Sequence, residues 1–129
     1  MIKVATNLDL TLEPEPEPLA RTFFNHLDGV TTCIYNSSML FEWDEHKRSA
    51  NLKIHKLDFR DAPEVFDGST VTYEDDRFNY GEQRFVTLGL LKGTAVSIVH
   101  TETPEQIRII SFRKATRHEE AYLFKSLQN

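Results

Sequence analysis

The sequence has a single cysteine among its 129 residues, so it can form neither an internal disulfide nor a zinc site built from cysteines. No apolar run approaches the roughly eighteen residues of a membrane span, and the first residues lack the apolar segment of a secretory signal. Basic residues are not in excess either: 15 Lys and Arg against 20 Asp and Glu give a net charge of −5. This balance argues against a protein that coats nucleic acid by bulk charge. We therefore expect a cytoplasmic protein.

Motifs for metal and nucleotide sites are also missing. No H-E-x-x-H, C-x-x-C or EF-hand spacing occurs, and the five glycines are scattered singly rather than gathered in a phosphate-binding loop. We accordingly expect no metal and no cofactor. What the chain does have is 40% hydrophobic and 11% aromatic residues, which is enough to build a folded core.

Residues 1–38 form an N-terminal extension with its own pattern. Apolar residues at even positions predict a strand between Ile2 and Leu12, and the alternating Glu-Pro run at 13–18 predicts a stiff, extended linker. Apolar spacing from Leu19 to Leu27 predicts a short helix, and Val30 to Tyr35 predicts a brief strand.

Two interpretations of this extension remain open. In the first, translation begins at Met39, because the acidic segment before it carries a Glu-Pro run that cannot pack, and a chain starting at Met39 should then fold and function as well as the full chain. Alternatively, the extension is a genuine appendage whose strand pairs with a sheet edge or with a partner.

Residues 39–129 predict an α+β domain with the order α-α-β-β-β-β-α. Asp44 caps a first helix that ends near Lys56, and Ala50, Ile54 and Leu57 are its predicted buried stripe. The remaining predicted elements are a short helix starting at Asp61, strands at Thr70–Glu74, Arg84–Leu91, Ala95–Glu102 and Ile107–Lys114, and a last helix opened by the capping box Thr116–Glu119, with Ala121, Phe124 and Leu127 as its apolar side. The predicted architecture is a small four-stranded antiparallel sheet with helices packed on one face.

Charges in this domain are segregated along the chain. Seven acids and one basic residue lie between Asp58 and Asp76, whereas residues 47–56 and 108–117 each carry four Lys or Arg and no acid. Such segments can form a local basic site despite the acidic total, and two ordinary solvated faces are the alternative.

An ordered set of short motifs resembles the BrnT family, the ribonuclease toxins of type II toxin–antitoxin pairs. The matching residues are Phe41-Glu42-Trp43-Asp44-Glu45, Lys47, Asn51, Ala62, Glu64-Val65-Phe66, Gly81-Glu82-Gln83-Arg84, Leu88-Gly89 and Arg108 through Arg117. The resemblance implies a RelE-like fold, RNA cleavage without a metal, and a complex with a BrnA-like ribbon-helix-helix antitoxin. A 2:2 assembly is expected, with operator DNA reached only through the antitoxin.

Metal-free RNA cleavage needs cations to stabilise the charge that develops on the phosphate, and arginine is suited to this task. Together with the resemblance, this requirement selects Arg84, Arg113 and Arg117 as candidate catalytic residues. Within the two basic segments, Lys47, Lys53 and Lys114 are the candidate RNA-binding residues.

The acid and base are less clearly marked. His55 aligns with a histidine of the family's pattern and is the first choice for proton transfer, although the neighbouring lysine is displaced to Lys53. His100 shares the strand parity of Val96 and Ile98, which favours a core histidine, and Glu119 is explained by the capping box as well as by catalysis.

Two further alternatives concern a loop and the function as a whole. Phe78 and Tyr80 lie in a polar loop, where they would stack on RNA, contact a partner or fold back onto the sheet. The alternative to a ribonuclease toxin is a catalytically inactive, toxin-like interaction module or corepressor that binds a ribbon-helix-helix protein.

Overall fold

The computed structural model describes residues 2–5, 24–27, 29–35 and 39–128. Within these residues the strands are β1 (Ile2–Ala5), β2 (Phe24–Leu27), β3 (Val30–Tyr35), β4 (Met39–Asp44), β5 (Thr70–Glu74), β6 (Phe85–Leu91), β7 (Thr94–Glu102) and β8 (Gln106–Lys114). The helices are α1 (Glu45–His55), α2 (Ala62–Phe66) and α3 (Arg117–Leu127), and a 3₁₀ turn at Phe59–Asp61 precedes α2. No helix in the described part of the chain is long and apolar enough to cross a membrane.

The described strands form one sheet in the order β1-β5-β6-β7-β8-β4-β3-β2. The four predicted strands are β5 to β8, and their bounds agree with the prediction to within one residue. The prediction of a small, purely antiparallel sheet is wrong, because β4 extends it and pairs in parallel with β8. The helices and hairpins between β4 and β8 supply the long connection that a parallel pair requires.

The described part of the extension adds a strand at one edge of the sheet and a hairpin at the other. β1 pairs with β5, and β3 pairs with β4. The helix predicted from Leu19 to Leu27 is wrong for Phe24–Leu27, which form β2 and pair with β3 across a turn in which Gly29 has φ +78°. The rest of that helix, the Glu-Pro linker and residues 6–12 of the predicted strand lie outside the described residues.

Helices cover both faces of the sheet rather than the single face predicted. The reason is that β6 and β7 carry apolar residues at both parities, so each face must be covered. One core contains Phe41, Trp43, Phe59, Ala62, Val65, Leu91, Val96, Ile98, Ile107, Ile109 and Phe112, and is covered by α2 and the 3₁₀ turn. The other contains Val71, Val86, Leu88, Ala95 and Leu123, and is covered by α3.

The predicted stripes are buried only in part: Leu57 and Leu127 pack against the two cores, and the other predicted residues do not. In α1 the buried residue is Asn51, whereas Ile54 is 72% exposed. In α3 Leu123 is buried, and Phe124 is 43% exposed.

α2 lies very close to β6, since a Cβ added at Gly89 would stand 2.7 Å from Val65 Cγ1. Glycine is therefore required at this position for the helix to reach the sheet.

Candidate active site

Arg113 is held at the end of β8 by a carboxylate from α3. Its register opposite Ser97 places it on the α3 side of the sheet. Nη1 donates to Glu119 Oε1 at 2.8 Å and Nη2 donates to Glu119 Oε2 at 2.9 Å, while Nη1 also donates to the Lys114 carbonyl. A guanidinium has five N–H groups, and these contacts use three of them. The remaining edge of the guanidinium, formed by the Nε hydrogen and the second Nη2 hydrogen, has no hydrogen-bond partner among the described residues.

Glu119 has two structural tasks at once. It completes the predicted capping box, since Oε1 accepts from the Thr116 backbone amide at 2.8 Å and the Thr116 hydroxyl accepts from the Glu119 amide. The Arg113 guanidinium, aided by Thr116 and opposed by burial, lowers the pKa of Glu119. The same pairing raises the pKa of Arg113. The carboxylate is therefore ionised at neutral pH and fixes the direction of the guanidinium.

A cleft of about 220 Å³ lies beside this pair. The residues that line it are Tyr73, Glu74, Asp75, Asp76, Arg77, Val86, Val99, Arg113 and Glu119. Tyr73 is half-buried on β5, and its ring meets the Tyr122 ring edge to face with centroids 6.1 Å apart. Burial, with the Glu119 charge in second place, raises the pKa of the Tyr73 hydroxyl above its ordinary value. Tyr73 therefore remains protonated at neutral pH and can donate a proton.

A second arginine–carboxylate pair closes the other side of the cleft. Arg77 Nε donates to Asp75 Oδ1 at 2.8 Å and Nη2 donates to Oδ2 at 3.0 Å. The Asp75 side chain is 1% exposed, and the hydrogen bonds from Arg77 hold its pKa below the usual range. The Tyr80 hydroxyl donates to the same carboxylate at 3.2 Å. Asp75 thus fixes the first half of the loop that joins β5 to β6.

The lining of the cleft carries four carboxylates and two guanidinium groups. Asp75 and Glu119 are paired with the two arginines, whereas Glu74 and Asp76 are exposed. An anionic ligand would therefore be attracted by directed hydrogen bonds from the arginines rather than by a general positive potential.

The other candidate arginines lie outside this lining. Arg84 packs over the Tyr80 ring at 4.1 Å and lies 3.8 Å from Glu82, and its Nε has no hydrogen-bond partner among the described residues. Arg117 is exposed at the start of α3, two residues before Glu119. Because residues two apart in a helix do not face each other, Arg117 does not share the Arg113–Glu119 side of α3.

The candidates from the first basic segment lie on α1. His55, Lys47 and Lys53 are exposed there, and no contact joins them to the cleft among the described residues. α1 is attached to the outer edge of β8, whereas α3 covers the other core. Lys114 is exposed at the end of β8, next to Arg113. The structure therefore brings Arg113 together with Glu119 but not with His55.

Sequence reasoning missed Tyr73, Asp75 and Arg77 as members of this site. The sequence places Tyr73 only within the predicted strand Thr70–Glu74, and Asp75 and Arg77 only after the end of that strand. The Asp-x-Arg spacing directly after a strand is the signal that was available, because a turn aspartate can pair with an arginine two residues later.

A family model described as "Ribonuclease toxin, BrnT, of type II toxin-antitoxin system" matches residues 43–119, which is more than half of the chain. The chain therefore belongs to the BrnT family of ribonuclease toxins, as its motifs indicated. A toxin of a type II pair has an antitoxin partner. All residues that line the cleft lie within the matched range. No curated protein matches the chain.

Proposed function

We propose that this protein is a ribonuclease toxin that cleaves RNA without a metal ion, at the cleft beside Arg113. The observation that carries the proposal is the orientation of Arg113. Glu119 occupies the Nη1/Nη2 end of its guanidinium, and the Nε/Nη2 edge remains for two phosphate oxygens. An arginine fixed in advance in this way stabilises negative charge without having to reorganise during the reaction.

The chemistry is an attack by a ribose 2′-oxygen on the adjacent phosphorus. A bond forms between that oxygen and phosphorus, the bond to the 5′-oxygen breaks, and the products are a 2′,3′-cyclic phosphate and a 5′-hydroxyl. Arg113 stabilises the additional charge on the phosphate oxygens. One proton must leave the 2′-hydroxyl, and one must reach the departing 5′-oxygen.

The cleft itself offers a group for each proton transfer. Ionised Glu119 is the acceptor nearest to Arg113, and protonated Tyr73 is the donor. His55 remains the proton-transfer residue predicted from the sequence. Separate Tyr73→Phe, Glu119→Gln and His55→Ala variants distinguish these assignments, because only the variants of true participants lower the rate of bond cleavage while leaving the fold intact.

RNA binding is completed by cations outside the lining of the cleft. Lys47, Lys53 and Lys114 are proposed to contact phosphates on either side of the cleaved bond, with Arg84 and Arg117 as further cations. A site with three or four phosphate contacts should lose about one to two decades of affinity when the salt concentration rises fourfold.

The test is cleavage of single-stranded RNA by the purified chain in the presence of EDTA, alongside growth of bacteria in which the chain is expressed. We expect cleavage in EDTA and growth arrest. Arg113→Ala and Arg117→Ala should relieve the arrest, and circular dichroism should show that both variants are folded. If both folded variants arrest growth as strongly as the parent, the arginine assignment is wrong.

The antitoxin is proposed to be a BrnA-like ribbon-helix-helix protein that forms a 2:2 complex with the toxin and contacts operator DNA itself. A helix of the antitoxin would place apolar side chains in a groove of the toxin. Co-expression followed by size exclusion with light scattering measures the stoichiometry. A toxin that elutes alone beside its antitoxin contradicts the proposal.

One observation favours the alternative, an inactive interaction module or corepressor. Both arginines of the cleft are paired with carboxylates, and the exposed Glu74 and Asp76 leave its lining acidic. In that case the parent chain binds its antitoxin with full affinity but cleaves no RNA under any condition that leaves it folded.

A further inference from the structure

The loop between β5 and β6 presents one large aromatic side chain to solvent. Phe78 is 66% exposed, although the loop follows directly from the strand that carries Tyr73. Its preceding neighbour, Arg77, lines the cleft beside Arg113. The exposed ring therefore lies next to the proposed site of RNA cleavage.

Hydrogen bonds within the loop fix its conformation. The Asp75 backbone amide donates to the Arg84 carbonyl at 2.8 Å, which closes the base of the loop. The Asp75 carboxylate accepts from both Arg77 and the Tyr80 hydroxyl. Because these bonds hold the residues on both sides of Phe78, its ring is presented in a defined place.

Two aromatic rings of the loop contact each other, and each of them lies beside an arginine. The Arg77 guanidinium lies 6.0 Å from the centre of the Phe78 ring, and the Phe78 and Tyr80 rings meet edge to face with centroids 5.8 Å apart. The Arg84 guanidinium lies 4.1 Å from the centre of the Tyr80 ring. Such a row presents one aromatic face for stacking and cations beside it for phosphates.

We propose that Phe78 is a base-stacking residue: it binds a nucleobase of single-stranded RNA whose phosphate is held at Arg113. This inference rests on the proposed ribonuclease function and names part of its substrate site. Stacking on an aromatic ring suits unpaired bases, whose faces are accessible. A protein partner is the less suitable ligand, because Phe78 is the only exposed large hydrophobic residue of this loop and directly follows the charged residues Asp76 and Arg77.

The stacking is tested by fluorescence in the full chain. A Phe78→Trp variant places an indole at the proposed contact, while native Trp43 is 1% exposed and provides a constant background. The probe is a short single-stranded RNA made uncleavable by 2′-O-methylation, compared with an abasic oligomer of equal length and charge. We expect quenching by the RNA and none by the abasic oligomer. Equal quenching by both contradicts the proposal.

Truncation of the Phe78 side chain tests how much the ring contributes to RNA affinity. Phe78→Ala should raise the Kd for the RNA by about 5- to 150-fold, which is the range of one base–aromatic stack, and should leave the Kd for the abasic oligomer unchanged. The matched control is Phe124→Ala, which removes an exposed phenylalanine from α3 and should leave both affinities unchanged.

Two outcomes overturn the inference separately from the proposed function. If Phe78→Ala weakens antitoxin binding but not RNA binding, the ring contacts a protein partner and the stacking proposal fails. If Phe78→Ala leaves RNA binding unaltered while the parent cleaves RNA, ribonuclease activity stands without this contact. Base-dependent quenching of the Phe78→Trp variant, together with a parent chain that cleaves no RNA, would support the stacking contact and contradict the proposed ribonuclease function.

Discussion

Asn51 binds both backbone groups of Phe112. Its Nδ2 donates to the Phe112 carbonyl at 2.7 Å, and its Oδ1 accepts from the Phe112 amide at 3.1 Å. β4 pairs with β8 only as far as Arg108, so these backbone groups of β8 would otherwise have no strand beside them. The side chain replaces the missing strand and attaches α1 to the sheet.

Asn51→Ala is therefore expected to destabilise the fold. It leaves two buried backbone groups without partners, which costs on the order of 2 kcal/mol. Chemical unfolding measures the free energy of unfolding, with Ile54→Ala as the control on an exposed position of the same helix. The control should change stability by less than about 0.5 kcal/mol. Equal losses in the two variants would contradict the role of Asn51.

His100 makes stability depend on pH. Burial, reinforced by the Lys3 charge and opposed by Glu102, lowers its pKa from 6.5 to about 4. Nε2 lies 2.7 Å from the Thr87 hydroxyl, and Nδ1 has no partner among the described residues. The unfolded chain thus binds a proton below pH 6.5 that the folded chain takes up only near pH 4, so stability should fall as the pH drops through this window.

Between pH 6.5 and pH 4 the free energy of unfolding should fall by at most about 3 kcal/mol because of His100. Measuring the free energy of unfolding from pH 7.5 to 4.5 tests it, because this range lies above most of the carboxylate titration. His100→Gln keeps a group that can bind the Thr87 hydroxyl and should flatten the slope, whatever its stability at neutral pH. A parent and a variant with equal slopes would show that His100 is not the source.

The fold was predictable where local pattern decides the structure. The alternation in β5 to β8, the Asp44 cap and the Thr116–Glu119 capping box are local signals, and each is present as predicted. The parallel pairing of β4 with β8 depends on a contact between distant segments, and the periodicity of apolar residues within each strand does not predict which strands pair. The role of Asn51 was not predictable, because its partner is the backbone of a distant strand.

In the candidate active site, residue type indicated the functional residues better than their spacing along the sequence did. Arg113 and Glu119 were both noticed, but their pairing depends on the turn between β8 and α3. Tyr73 was missed because alternation specifies which face of the sheet a residue occupies, and not whether a cleft opens there.

The proton-transfer groups predict a flat pH profile for RNA cleavage. The Arg113 guanidinium holds the pKa of Glu119 below its ordinary value, and burial raises the pKa of the Tyr73 hydroxyl above its ordinary value. The base is then ionised and the acid protonated from about pH 5 to 9, and kcat should be constant across this range. Tyr73→Phe should lower kcat by about 10²- to 10⁴-fold. A titration inside the range would assign proton transfer to another group, and His55→Ala is then the decisive variant.

A chain that begins at Met39 is predicted to fold. Both hydrophobic cores among the described residues are built from residues 39 onward, and the family match starts at 43. The extension does contribute contacts, because the Thr31 hydroxyl donates to Glu45 and the Glu45 amide donates to the Gly29 carbonyl at 2.8 Å. We expect the Tm to fall by no more than about 5 °C, which corresponds to about 1 kcal/mol.

Thermal unfolding of the two chains measures this difference, and Thr31→Val in the full chain removes the hydroxyl that contacts Glu45. A larger drop in Tm, or loss of growth arrest by the shorter chain, would show that residues 1–38 belong to the functional fold.

The central claim is that Arg113 stabilises the reacting phosphate without a metal. The most direct measurement is the single-turnover rate of RNA cleavage in EDTA for the parent, Arg113→Ala and Arg108→Ala, an exposed arginine of the same strand that lies outside the cleft lining. Arg113→Ala should be slower by about 10²- to 10³-fold, while Arg108→Ala should stay near the parental rate. A folded Arg113→Ala variant that cleaves at the parental rate would contradict the account.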